Sequence, residues 1–183
     1  MRDSSQAWQM LRSADLVCGA EEVAHAIRDV AGKITGELAD AYPLVLTVMG
    51  GAVVFAGQLL PMLRFPLDFD YIHVTRYGSA IVGSQLDWRV APPAEVSGRT
   101  VLVLDDILDG GNTMAAIRER ILGLGAAAFY CAVLTEKELG VSKPITPDFV
   151  GLKVPDRFVF GCGMDARGFW RNLPEIYALR EQD

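Results

Sequence analysis

At 183 residues the chain is long enough for a single domain with a substantial core. Hydrophobic residues make up 51% and charged residues 22%, the balance expected of a soluble globular protein. A formal net charge of -6 with no basic cluster argues against a nucleic-acid-binding surface.

Met1 to Asp15 is polar and weakly patterned, with Trp8, Met10 and Leu11 marking a short amphipathic piece. Arg2 and Asp3 stand where a secretory signal would carry an apolar run, so none is expected. From Glu21 to Ala39, Val23, Ile27, Val30, Ile34 and Leu38 recur at helical spacing and predict a packing helix. His25 falls off that stripe and is expected to be exposed and without catalytic duty. Leu44 to Val48 reads as a buried strand that ends at Met49, Gly50 and Gly51, and Ala52 to Leu63 reads as the helix that follows. Gly57, Gln58 and Pro61 break that apolar stretch, well short of the roughly 20 residues of a membrane span.

Asp68 to Thr75 predicts a third strand, followed by Arg76 and Tyr77. Ala80 to Gly98 is rich in Gly, Ser and Pro, with one possible strand at Leu86 to Val90. A loop of that length in a compact domain is usually functional.

The chemistry concentrates in Val101 to Thr113, VLVLDDILDGGNT. Val101 to Leu104 has the β-branched and leucine character of a strand buried on both faces. Asp105, Asp106 and Asp109 sit where that strand is expected to end. Gly110 and Gly111 make a turn, and Asn112 and Thr113 lead into a helix at Met114 to Leu122. A glycine turn opening a helix presents backbone N–H groups and the positive end of the helix dipole, which suits a phosphate. Carboxylates beside it would repel the same group, so they must face sugar hydroxyls, a bridging Mg²⁺ or a transferable proton. The earlier Gly50–Gly51 turn, also between strand and helix, is a second candidate anion site.

This run resembles the phosphoribosyl pyrophosphate signature of the type I phosphoribosyltransferases. The resemblance implies that Asp105 and Asp106 meet the ribose hydroxyls, directly or through a metal-bound water. It puts the 5'-phosphate on Gly110, Gly111, Asn112 and Thr113, and makes Asp109 the base beside the purine N7. Gly110 departs from the Ser or Thr usual in the family and supplies only an N–H. Gly50 and Gly51 would bind pyrophosphate in a loop with an unusual peptide bond before its first glycine, although Met49 stands where purine enzymes often carry Lys. The segment around 76–98 would be a lid, with Tyr77 kept and Arg76 replacing the usual Ser.

Ala127 to Leu134 predicts a further strand, with Thr135, Glu136 and Lys137 at its end, before a connection containing Pro144 and Pro147. The family lysine that donates to the O6 of a 6-oxopurine matches Lys137, and a group with donors only favours oxo over amino. The stretch DFVGLKVPDRFVFGCGMD resembles the purine-base segment of hypoxanthine-guanine phosphoribosyltransferases. By that resemblance Ile107, Phe158 and Val159 hold the purine, Asp165 binds Mg²⁺ with Asp105 and Asp106 nearby, and Arg171 meets pyrophosphate. Arg157 stands in for a common lysine. Cys18, Cys131 and Cys162 are odd in number and lack metal-ligand spacing, which predicts reduced thiols in a cytoplasmic protein.

Strands alternating with helices predict an α/β fold, a single domain over 1–183. The family version is a mainly parallel five-stranded sheet flanked by helices, with a small hood in about 148–183. The implied reaction is purine salvage: hypoxanthine or guanine plus phosphoribosyl pyrophosphate gives IMP or GMP plus pyrophosphate, with Mg²⁺. The implied partners are these small molecules and further copies of the chain, as homodimer or homotetramer, with no nucleic acid and no membrane. The alternatives are transfer to another base such as xanthine, or a non-catalytic sensor of phosphoribosyl pyrophosphate.

Overall fold

The computed structural model describes residues 3–76 and 86–180, leaving the Arg76 side chain aside. Tyr77 and the expected lid residues through 85 lie outside the described residues. Six strands form the main sheet: β2 (Leu44–Met49), β3 (Asp68–Arg76), β4 (Leu86–Val90), β5 (Thr100–Leu108), β6 (Ala128–Glu138) and β7 (Phe149–Pro155), in the order β4-β3-β2-β5-β6-β7. The strands from β3 to β7 run parallel, and β4 closes one edge antiparallel to β3. The five parallel strands match expectation, and β4 is the strand read at Leu86 to Val90, added antiparallel at the sheet edge. A second sheet joins β1 (Asp15–Cys18), β9 (Ile176–Ala178) and β8 (Val159–Phe160), in that order. This small sheet is the hood.

The central strands β2, β5 and β6 each carry a run of buried residues, Leu44 to Val48, Val101 to Leu104 and Cys131 to Thr135, as both their faces are covered. One face packs on α2 (Ala20–Leu38) and α3 (Val53–Leu59), the other on α4 (Asn112–Gly123). The α2 stripe is the predicted one: Val23, Ile27, Val30, Ile34 and Leu38 are all buried. Burying each such large aliphatic is worth about 1.5–3 kcal/mol, so tertiary packing more than helix propensity holds α2. His25 is exposed and lies 3.3 Å from Asp29, one turn along the same helix.

Several boundaries differ from expectation. The predicted helix to Leu63 stops at Leu59 and continues as one 3-10 turn, Leu60–Met62, because Pro61 has no N–H for the helical ladder. Strand β5 does not end at Leu104; its ladder with β6 carries Asp105 to Leu108 in extended backbone. Strand β6 likewise runs to Glu138, so Lys137 sits in the sheet and not beyond it. Phe149–Pro155, expected within the hood segment, belongs to the main sheet, paired in parallel with β6.

The amino-terminal residues form α1 (Ser4–Ser13), capped by the Asp3 carboxylate, which accepts from the Ser5 amide at 2.9 Å. Trp8 meets Trp170 edge to face at 4.9 Å, and the Trp170 indole N–H donates to the Ala7 carbonyl at 2.8 Å. Asp15 then accepts from Arg157 at 2.7 Å and Arg180 at 2.8 Å, fastening β1 to the chain that flanks β8 and β9. The two guanidiniums hold the Asp15 carboxyl below its ordinary range, Arg157 contributing most.

Candidate active site

The carboxyl ends of β2, β5 and β6 meet the hood on one edge of the sheet, the edge where α/β folds bind ligands. A cavity of about 220 Å³ opens there. Asp106, Ile107 and Asp109 line it from β5 and its following turn, Lys137 from β6, and Phe158, Val159, Met164, Asp165 and Arg171 from the hood side. Eight of these nine were expected from sequence; Met164 was not.

Of the two cations lining this cavity, Lys137 is the more enclosed, its side chain only 12% exposed against 47% for Arg171. Its ammonium donates to the Asp109 carboxylate at 3.1 Å and lies 3.9 Å from Asp156. Phe158 is more than half exposed where it lines the cavity, leaving aromatic surface available for stacking. Val159 is buried in β8, paired with Ala178.

Asp105 and Asp106 stand side by side at the end of β5. Burial pushes the Asp105 carboxyl well above its ordinary value, and the Asp106 charge adds to the rise. Asp106 is raised too, chiefly by burial, with hydrogen bonding to Asp105, the Ile107 amide and the Arg171 charge opposing it. The Asp106 carboxylate lies directly over Gly51: a methyl group there would overlap its oxygens. Gly163, at φ +102, in turn packs on the Gly51 carbonyl so closely that a Cβ would collide with backbone. The peptide bond between Met49 and Gly50 is cis, the unusual bond that the resemblance implies. Gly50 is exposed beside it.

Gly111, at φ +79, is the N-cap of α4 and adopts the left-handed conformation that glycine tolerates. It provides no capping side chain, and a helix start supplies amides that its own ladder does not use. Asn112 is exposed and Thr113 partly so, both in the first turn. The helix begins at Asn112, two residues before the predicted Met114.

Asp165 and Arg171 form a short ion pair across the hood loop. The other Asp165 oxygen accepts from the Gly168 amide, and Arg171 also donates to the Gly163 carbonyl at 2.6 Å. Among the described residues no three His, Cys, Asp or Glu side chains converge to cage a metal by themselves. Mg²⁺ ordinarily takes one or two carboxylates and fills its octahedron with water and substrate phosphates. The partly open, charge-frustrated pair Asp105–Asp106, with Asp165 across the cavity, fits that mode of binding.

Besides Met164, two contributors behind the cavity wall were not singled out from sequence as part of the site. The buried Thr135 hydroxyl donates to the Asp106 carbonyl at 2.9 Å, bracing the acidic corner from β6. Lys143 reaches back from the connection after β6 to the carbonyls of Leu108 and Lys137. Thr135 reaches Asp106 and Lys143 reaches Leu108 across long sequence separations, which no local motif announces.

A helix start under an acidic strand end, faced by an aromatic and a cation, defines a domain built for a phosphorylated sugar and a flat base. The chain belongs to the phosphoribosyl transferase domain family, whose pattern matches residues 19–167. It is 32% identical to a hypoxanthine-guanine phosphoribosyltransferase of Bacillus subtilis over 161 residues, 87% of this chain and 89% of that protein. It is also 32% identical to a hypoxanthine-guanine-xanthine phosphoribosyltransferase of Tritrichomonas foetus, over 88% of each chain. Among solved structures, a hypoxanthine phosphoribosyltransferase of Trypanosoma cruzi superposes with a TM-score of 0.84 at 27% identity, covering 92% of this chain and 97% of that one.

Cys18, Cys131 and Cys162 are all free and buried. Burial pushes the Cys131 and Cys162 thiols up to about 12, far from the reactive thiolate. Among the described residues no helix is long and apolar enough to cross a membrane.

Proposed function

We propose that this chain is a purine salvage enzyme, transferring the phosphoribosyl group of phosphoribosyl pyrophosphate to hypoxanthine or guanine and forming IMP or GMP. One observation carries the reading: a donor-only ammonium and an acceptor carboxylate, 3.1 Å apart, line the cavity beside an exposed aromatic ring. A 6-oxopurine presents the complementary edge, with O6 as acceptor next to N7–H as donor. Adenine presents an amino donor at that position, which Lys137 has no lone pair to receive.

The base sets its O6/N7 edge against the Lys137–Asp109 pair with a face on Phe158, while the Val159 carbonyl accepts from the 2-amino group of guanine. Ile107 supports the opposite side. The ribose hydroxyls lie on Asp105 and Asp106, the 5'-phosphate on Gly110 to Thr113, and the pyrophosphate between Gly50–Gly51 and Arg171. The bond from the anomeric carbon to the pyrophosphate oxygen breaks with its electron pair leaving on pyrophosphate, and positive charge builds on the sugar. N9 then bonds to the anomeric carbon, and Asp109 takes the N7 proton that this makes acidic. Asp165, with Asp105 and Asp106, would hold Mg²⁺, which when bound supplies charge neutralisation for the leaving group. Arg171 must part from Asp165 for both to serve the diphosphate. A homodimer or homotetramer in the cytoplasm is the setting the family resemblance implies, and the buried thiols agree with it.

Xanthine remains a second acceptor of the same kind, favoured by the name of the Tritrichomonas relative. The test is nucleotide formation from phosphoribosyl pyrophosphate and Mg²⁺ with hypoxanthine, guanine, xanthine and adenine in parallel, resolved by chromatography. Product from hypoxanthine or guanine and none from adenine is expected. No product from any base, with phosphoribosyl pyrophosphate still bound, would replace the enzyme by a sensor.

A further inference from the structure

We propose that Lys143 is the positioning residue of the Lys137–Asp109 pair: its buried ammonium ties together the two backbone carbonyls from which those side chains are set. The inference deepens the purine-transfer reading and rests on it.

The Lys143 side chain is only 8% exposed, and a buried ammonium needs all its donors satisfied. It finds three acceptors, the Lys137 carbonyl at 2.6 Å, the Leu108 carbonyl at 3.2 Å and the Glu136 carboxylate at 3.2 Å. Leu108 immediately precedes Asp109, and Leu108 and Glu136 are the last registered pair between β5 and β6. Beyond that pair the chains part: β5 turns into Gly110–Gly111 while β6 continues through Lys137 to Glu138. Lys143 therefore takes over where the ladder stops, holding the two strand ends at one spacing. The same stretch also touches the phosphate loop. A Cβ at Gly111 would meet Lys143, Pro144 and Ile145, each at 3.4 Å.

Two side chains that read adjacent atoms of one purine edge must keep a fixed separation, and a displacement of about 1 Å can cost on the order of 10²-fold in rate. Lys143 is not itself among the residues lining the cavity, so its effect on the base passes through the Lys137 and Leu108 carbonyls that it ties. A purely structural ion pair with Glu136 would instead change stability and leave the kinetics of the folded enzyme alone.

The experiment compares the parent with Lys143→Met, Lys143→Arg and Glu136→Gln. It measures kcat, the KM for hypoxanthine, the Kd of phosphoribosyl pyrophosphate by calorimetry, and Tm. Lys143→Met is expected to raise the hypoxanthine KM about tenfold and lower kcat about 10- to 100-fold, with the Kd for phosphoribosyl pyrophosphate within about threefold of the parent. Lys143→Arg, which retains donors and charge, should recover most of the loss. Glu136→Gln leaves the carbonyl ties in place and should keep the hypoxanthine KM within about threefold of the parent even if Tm falls. A folded Lys143→Met enzyme with parental kcat and KM overturns the proposal. So does a tenfold rise of the hypoxanthine KM in Glu136→Gln, which needs no Lys143 variant to fold. A parent that makes no nucleotide from any 6-oxopurine would overturn the transferase reading itself; an active parent with an unaltered Lys143→Met variant overturns only the positioning role.

Discussion

Asp105 shows at the scale of one residue how this site trades stability for binding. Its carboxyl is raised well above the ordinary value of 3.8 because burial and the neighbouring Asp106 disfavour its charge. A raised folded-state value means that the native protein holds this proton more tightly than the unfolded chain. The contribution to stability is therefore greatest below 3.8 and is lost as pH rises through the folded value. Asp105→Asn removes the charge but keeps an acceptor for the Asp106 amide, now at 3.0 Å. Its Tm at pH 7 should exceed that of the unliganded parent, the difference should vanish as pH falls to about 3.8, and transfer activity should drop. A lower Tm at pH 7 would mean that the carboxylate is stabilising as it stands. Gly110 makes the opposite offer. A Cβ there would find nothing nearer than the Asn112 amide nitrogen at 3.8 Å, so a side chain fits. Gly110→Ser should tighten phosphoribosyl pyrophosphate by one hydrogen bond, on the order of 1 to 3 kcal/mol. Unchanged or weaker binding in calorimetry would count against that placement of the phosphate. The acidic and glycine residues were readable in the sequence because their types are costly without a ligand. Thr135, Lys143 and Gly163 were not, since a threonine, a lysine and a glycine have ordinary uses everywhere and only their neighbours give them work.

At the scale of elements, α2 and the strands β2 to β6 were legible as elements, while β7, read as hood, and the short strands β1, β8 and β9 were not. Two strand ends were misplaced because polar residues continue them: Asp105 to Leu108 and Thr135 to Glu138 stay extended because a parallel neighbour holds them, which hydropathy cannot report. The contact between the β2 loop and the hood was also invisible, because it is made by two glycines far apart in the chain. Gly163→Ala tests that contact. With φ at +102 and the Gly51 carbonyl in the way, the methyl must strain the hood loop or push the β2 loop toward Asp106. The cost should be about 1–3 kcal/mol, seen as a lower Tm together with weaker phosphoribosyl pyrophosphate binding. Parental Tm and affinity would show that the two loops are not rigidly packed.

The whole molecule is a catalytic edge held between two layers that the chain order does not place side by side. The main sheet brings the acidic corner and Lys137 together, and the hood lays Phe158, Asp165 and Arg171 over them. The hood itself is closed by the amino-terminal strand β1, locked through Asp15 to Arg157 and Arg180. Sequence alone put all the hood in the last third of the chain, because a pairing between Asp15 and Ala178 leaves no local pattern. The central claim, that Lys137 and Asp109 together read and activate the O6/N7 edge, is tested most directly by the turnover of Asp109→Ala with hypoxanthine, alongside its affinity for phosphoribosyl pyrophosphate. Turnover should fall roughly 10²- to 10⁴-fold with that affinity largely intact. Near-normal turnover would remove Asp109 from the chemistry and the paired reading with it.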